Sequence, residues 1–383
     1  MIAATGLNLP LDFTSFTVNS AAEIDKSVWD RLLNNEVESF EYLLAFEQSA
    51  TPGFRLRYIA IKNNLEIVCV LPYFITDYAL DTTVQGKLKR VLAKISQFFP
   101  NLLSLKLLCV GSPVTDSCKI GLTQQYQHDS ALIATLNQAL NCIAETEKVS
   151  VIAFKDVIEQ DSKRLDLALK ACGFSQIDNM PVAVNQLAFN SLDEYLSSLS
   201  YATRKNLRRK LKSKTKLIIE EYTGLPPNIE AVYSLYLDTY EKSELQFEKL
   251  TLQFFTSIAE LMPHNSRYIL YYADNQLIAF NLVLHREGVL LDKYIGMHPT
   301  LATLYNVYFL SWLHNIEMCI RDGFHTYQSG QAAYETKTRL GASLQPTYIY
   351  FKHTNRWLNQ PLRWLAKLLA YANFDQHTQQ TKA

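Results

Sequence analysis

The chain has 383 residues, 48% of them hydrophobic and 19% charged, which excludes a disordered protein and leaves room for more than one compact unit. Its 37 lysines and arginines balance 37 aspartates and glutamates, so no global field draws it to nucleic acid or to an anionic surface. Six cysteines without a C-x-x-C pair and histidines at no ligand spacing argue for a reducing compartment, with no metal expected. The start lacks a basic, then apolar, leader and no run of eighteen apolar residues occurs, so the expected location is the cytoplasm.

Tyr58 to Phe74 and Tyr268 to His285 lie 210 positions apart and are built alike. Each is an apolar run, a polar turn (Lys62-Asn-Asn; Asp274-Asn-Gln) and a second apolar run, the pattern of a β-hairpin. After the first hairpin the pattern predicts a helical stretch broken at Pro100, a strand at 105–110, a helix at 131–148, a strand at 149–154, a helix at 162–172 and a strand at 182–189. After the second it predicts a strand at 289–296, a helix at 304–321, a strand at 325–329, a short helix at 334–340 and a strand at 347–353. The parallel order predicts a duplicated α/β (α+β) domain, 1–190 and 191–355, with the halves packed face to face and an amphipathic tail at 356–383.

The join changes character. Ser191 reads as a helix N-cap, and Arg204 to Lys216 then holds eight basic residues and no acidic one. Amphipathic helices follow at 229–240 and 251–261, the second stopped by Pro263.

Three stretches carry a family resemblance: Tyr195-Leu-Ser-Ser-Leu-Ser with Arg204-Lys-Asn-Leu-Arg-Arg, the segment Lys293-Tyr-Ile-Gly-Met-His-Pro, and Gly330-Gln-Ala-Ala-Tyr-Glu-Thr-Lys-Thr-Arg-Leu-Gly. Together the chain resembles the double-domain GNAT-like N-acyltransferases of the FemAB type. The resemblance implies two tandem GNAT-like domains with mixed, mainly antiparallel sheets flanked by helices. It also implies transfer of an acyl group to a small-molecule or peptide amine acceptor, with acyl-coenzyme A as the expected co-substrate. The alternatives are aminoacyl transfer from a charged tRNA to a peptidoglycan precursor, and a non-catalytic scaffold. One departure stands out: the loop His298-Pro-Thr-Leu-Ala-Thr-Leu-Tyr-Asn lacks the glycines with which GNAT enzymes cradle the coenzyme pyrophosphate.

Acyl transfer to an amine requires a base for the ammonium proton, donors for the oxyanion and an acid for the leaving group. The third stretch offers Glu335 as base, Tyr334 as acid and Lys337 as electrostatic stabiliser, with Gln331 beside them. Arg204 and Arg208, one turn apart, are the favoured anion contacts. Strict alternation along 290–297 predicts Asp292 and Tyr294 on one face as acceptor-side residues. In the GNAT-like fold this strand splays from its neighbour, which makes the backbone of Ile295, Gly296 and Met297 the donor-side edge. Tyr305 and Asn306 open the next helix toward an anion. The aromatic, basic segment 361–371 is expected either to dock on the protein or to touch a membrane surface.

Overall fold

The computed structural model describes residues 13–34, 36–79, 104–243 and 246–364. The helical stretch expected around Pro100, and most of segment 361–371, lie outside the described residues. The first half runs β1 (Phe13–Val18), α1 (Lys26–Leu32), α2 (Phe40–Gln48), β2 (Arg55–Asn63), β3 (Glu66–Ala79), β4 (Ser104–Val110), β5 (Gly121–Leu122), α3 (Ser130–Thr146), β6 (Val151–Ile158), α4 (Glu159–Ala171) and β7 (Ser175–Gln186). Helices α5 (Leu192–Ser198) and α6 (Tyr201–Leu211) form the join. The second half repeats the plan with β8 (Ile218–Tyr222), α7 (Ile229–Tyr240), α8 (Leu252–Leu261), β9 (Ser266–Ala273), β10 (Gln276–Arg286), β11 (Val289–Met297), α9 (Leu301–Leu304), α10 (Val307–Asp322), β12 (Thr326–Gln328), α11 (Tyr334–Arg339) and β13 (Ser343–His353).

Local chemistry fixes these boundaries. The Asp129 carboxylate accepts from the amides of Ala131 and Leu132 at the start of α3, and Ser191 and Ser200 cap α5 and α6 through Glu194 and Thr203. In the second hairpin Asp274 and Asn275 are both left-handed, at φ 50° and 62°, a two-residue turn whose twist matches its strands.

Among the described residues the strands join in one sheet, ordered β1-β2-β3-β4-β6-β13-β7-β12-β11-β10-β9-β8, with β5 beside β3. The order reads the same from either end once the halves are exchanged. At the centre, however, the last strands have changed places: β7 pairs with β12 of the second half, and β13 pairs with β6 of the first. The halves therefore lie side by side and share hydrogen bonds between β7 and β13, rather than packing face to face. A division at residue 190 follows the chain but not the sheet.

Tyr58 and Tyr268 occupy equivalent strands and are fully buried. The Tyr58 hydroxyl donates to Glu47 on α2, and that of Tyr268 to the carbonyl of Phe255 on α8 at 2.7 Å, the equivalent helix. One hydrophobic cluster on this face is shared by both halves, where Tyr42 meets Phe254 edge-on at 5.8 Å. On the other face each half has its own cluster, under α3 and α4 or under α10.

A chain ended after Ala342 lacks β13 and leaves the edges of β6 and β7 unpaired. The expected outcome is aggregation and loss of a cooperative urea transition, followed by tryptophan fluorescence. A normal transition would contradict the shared-strand arrangement.

Candidate active site

The site grows out of an irregularity in β11. Leu282 pairs with Tyr294 but Val283 pairs with Asp292, so Lys293 is an extra residue, a β-bulge. On its other side β11 pairs with β12 only from Val289 to Leu291, and beyond that point no strand among the described residues covers it. The chain after β12 stays bonded to β7, through Ser329, Gly330 and Ala183, so β11 and β12 part, and the gap between them beside Ile295, Gly296 and Met297 is the cleft of this site. Part of this edge is already engaged, since the Met297 amide donates to Thr239 Oγ1 at 2.9 Å. Gly296 is fixed by packing: a Cβ there would come within 2.3 Å of the Phe280 ring and 2.7 Å of the Leu235 backbone.

The bulge corrects the expected sharing of a face by Asp292 and Tyr294. Asp292 turns toward α10 and accepts from Asn281 Nδ2 (2.6 Å), the Tyr327 hydroxyl (2.7 Å) and Asn315 Nδ2 (3.2 Å). Burial raises its carboxyl pKa, and these donors offset the rise only in part. Tyr294 turns to the opposite face, among the rings of Tyr236, Phe254 and Phe255. The extra residue breaks the two-residue period, so the alternation fails at this point.

Lys293 is the residue that the sequence reading passed over. Its side chain is 3% exposed and its ammonium lies 2.6 Å from Glu38 Oε1 and 2.7 Å from Asp116 Oδ1, both in the first half. Burial acts to lower its pKa, but Asp116 and Glu38 outweigh that and hold it well up. Lys119 lies beside the same group, 2.5 Å from Glu36 and 3.7 Å from Glu38. Lys155 reaches Asp156 at 2.7 Å and the carbonyls of Ser112 and Thr115 at 3.1 Å each. Asp156, left-handed at φ 54°, also accepts from Asn179 (2.5 Å) and from Gln331 (3.0 Å). Glu248 faces Lys155 and Lys293 and forms no ion pair among the described residues; burial pushes its carboxyl up to about 7. Charged pairs inside the apolar runs Val151-Ile-Ala-Phe-Lys-Asp-Val-Ile and Val289-Leu-Leu-Asp-Lys-Tyr-Ile were the available signal for this network.

The Gly330-Gln-Ala-Ala-Tyr stretch leads out of β12 and meets the charge network at Asp116 and Asp156. Gly330, Ala332 and Ala333 are all left-handed, and a Cβ on Gly330 would lie 3.4 Å from Asp116 Oδ2. Buried Lys337 donates to the carbonyls of Ser329 (2.5 Å), Gln331 (3.1 Å) and Gly330 (3.4 Å), and burial lowers its pKa. Gln331 also donates to the Met180 carbonyl at 3.0 Å. The Tyr334 hydroxyl donates to Pro181 at 2.9 Å, and burial raises it to about 12. Glu335 lies apart from them at the surface, paired with Arg339. The structure therefore groups Asp292, Gln331, Tyr334 and Lys337 around the splay and leaves Glu335 outside.

A second group forms at the start of α10. The Arg204 guanidinium donates to the carbonyls of Ser197 (3.1 Å) and Leu199 (3.2 Å), while exposed Arg208 lies 3.9 Å from Asp193. Lys210 covers the Phe309 ring and Lys214 meets Glu317 at 2.6 Å. Asn306 donates to Ser213 at 3.2 Å, and the Tyr305 hydroxyl to Asp274 at 3.3 Å. In the glycine-free loop, His298 Nδ1 accepts from the amides of Thr300 and Leu301 at 3.3 Å each. Among the described residues no cluster of histidine, cysteine, aspartate and glutamate has the arrangement of a metal site, and no helix is long and apolar enough to cross a membrane.

The sequence matches the FemAB-like family, described as peptidoglycan biosynthesis/recognition, over residues 20–381. The chain belongs to this family. No curated protein sequence matches it. Among solved structures, FemX is 13% identical with a TM-score of 0.59, over 92% of this chain and 99% of that one. A tandem GNAT protein from the clavulanic acid biosynthesis pathway is 11% identical with a TM-score of 0.52, over 90% and 99%. A conserved protein of unknown function from Bacteroides thetaiotaomicron VPI-5482 is 10% identical with a TM-score of 0.51, over 89% and 99%. These likenesses establish the fold of the FemAB-like chain as a tandem GNAT fold. Family and fold together make it a transferase.

Two outcomes follow from the charge network. Lys293→Met leaves Glu38 and Asp116 buried without their shared cation and is expected to cost about 3 to 5 kcal/mol in urea unfolding. Glu248 ionises near 4.5 when unfolded and near 7 when folded, so between these values the folded chain binds more protons. Stability is therefore expected to fall as pH rises from 4.5 to 7, and Glu248→Gln should flatten that part of the profile.

Proposed function

We propose that this chain is an aminoacyltransferase that takes its acyl group from a charged tRNA and delivers it to an amine of a peptidoglycan precursor. The observation that carries the reading is the family match across nearly the whole chain. The choice of donor is supported by the loop after β11, where His298 occupies two of the amides that a pyrophosphate would use and no glycine lets the backbone close on one. The basic run beside the start of α10 offers Lys205, Lys212 and Lys216, which form no ion pair among the described residues, as contacts for a phosphodiester chain.

In this reading the ester carbonyl lies along the free edge of β11 at Ile295 to Met297. The acceptor nitrogen attacks the carbonyl carbon, a C–N bond forms, the C–O bond to the ribose breaks, and the ribose oxygen takes a proton. Glu248 receives the amine proton: it faces Lys155 and Lys293 without an ion pair to either among the described residues, and burial brings its carboxyl to about 7, near the working pH. Lys337 holds the loop 329–331 against Asp116 and supplies positive charge toward Asp292 at the cleft. Tyr334 and Gln331 fix the same loop to β7.

The deciding experiment offers the purified chain a peptidoglycan precursor peptide with either charged tRNA or acyl-coenzyme A, and weighs the product. A gain of one aminoacyl unit from tRNA is expected; acylation from coenzyme A alone would overturn the donor. Lys337→Met is expected to lower turnover about 10²- to 10³-fold. Glu248→Gln should lower it about 10²-fold or more, with the deficit narrowing at high pH, whereas Glu335→Gln should leave it nearly unchanged. Arg208→Ala with Lys212→Ala should weaken tRNA binding and reduce its salt dependence.

A further inference from the structure

The segment after β13 carries an aromatic, basic surface that acyl transfer does not use. From Gly341 to Phe374 the sequence contains no aspartate or glutamate. Within its described part, Trp357 is 75% exposed, Trp364 is 68% exposed, and Leu358 is also exposed. Arg356 lies over the Trp357 ring at 4.9 Å, and neither Arg356 nor Arg363 forms an ion pair among the described residues. The segment does not swing free. Asn359 accepts from the His353 amide at 2.7 Å and donates to the Gly173 carbonyl at 3.3 Å, which lays it across the end of α4. There Arg363 borders a shallow depression with Lys170 and Phe174, and Leu167 of α4 is exposed as well. The nearby carboxylate of Asp166 is matched by Lys170 at 2.7 Å.

We infer that this face lies on an anionic lipid bilayer, with Trp357 and Trp364 entering the interface and Arg356 and Arg363 meeting lipid phosphates. Exposed tryptophans flanked by arginines suit that boundary, because the indole body is apolar, its N–H is polar, and the guanidinium binds phosphate in a fork. Two apolar anchors, with the nearby Asp166 carboxylate already paired to Lys170, distinguish the face from the lysine-rich run at α6, which offers charge without exposed indoles. Net neutrality of the whole chain does not oppose contact, because the attraction acts within a Debye length of the surface.

The test uses the full chain and its own four tryptophans, of which Trp29 and Trp312 are buried and serve as an internal reference. Vesicles of phosphatidylcholine with phosphatidylglycerol are expected to co-sediment the protein and shift its emission to the blue, while pure phosphatidylcholine vesicles do so about tenfold less. Trp357→Ser with Trp364→Ser should abolish the shift, and Arg356→Gln with Arg363→Gln should weaken binding and its salt dependence without changing the melting temperature. The arginine variant and a salt titration of the unaltered chain keep the test open if the tryptophan variant misfolds. The inference is overturned if anionic vesicles produce neither effect, or if neutral vesicles bind equally. It is also overturned if bulk tRNA shifts the emission and vesicles do not, or if sedimentation shows a dimer that only the tryptophan variant dissociates.

Discussion

The hydrogen bonds between β7 and β13 are the constraint from which the rest of this molecule follows. These strands are the closing strands of two similar halves, yet each lies next to the other half's sheet, with Val184 opposite Ser343 and Ser175 opposite Phe351. Exchange of this kind fixes the relative position of the halves through backbone bonds in addition to side-chain packing. A domain interface built from side chains alone tolerates rotation far more readily. The cleft at the splay of β11 and β12 depends on that rigidity, since its walls come from both halves: Glu38, Asp116 and Asp156 from the first, Lys293, Gln331 and Lys337 from the second.

A buried charge network is costly to assemble, because each ion gives up its water before it gains a partner. Here the expense secures register. The bulge adds Lys293 to β11 and its ammonium meets Glu38 and Asp116, so an apolar residue at that position would remove the cation that these two carboxylates share. The same bulge sends Asp292 and Tyr294 to opposite faces, so one local irregularity shapes the cleft, selects which acidic group meets α10, and binds the halves together. Structure and chemistry are not separable at this site. A substitution that disturbs the network changes the position of the loop over the cleft as well as its charge.

Much of the architecture was legible in the residues. Asp274-Asn-Gln between apolar runs specified the second hairpin, Ser191 specified the start of α5, and the helix read at 229–240 has those bounds in the structure. Such features are local: a cap or a turn is decided within a few residues. The exchange of β7 and β13 was not legible, since the apolar pattern of a central strand is the same whichever neighbour it pairs with. Strict alternation misread Asp292 and Tyr294 because a bulge carries no fixed residue signature. Glu335 looked chemical by its motif, but a six-residue helix turns it to solvent beside Arg339. Glu248 carries no signal of its own; only the fold surrounds it with Lys155 and Lys293.

The exchanged strand also sets a timetable for biosynthesis. Val151 at one end of β6 pairs with His353, so the two partners are separated by roughly two hundred residues, or about 10 to 40 seconds of translation. Throughout that interval the edge of β6 lacks the strand that covers it in the finished fold. Nascent chains on neighbouring ribosomes present the same edge, and a chain further along, which has already made β13, carries the strand that fits it. Crowded translation thus favours trading β13 between molecules, and dilution or a bound chaperone favours the correct closure within one.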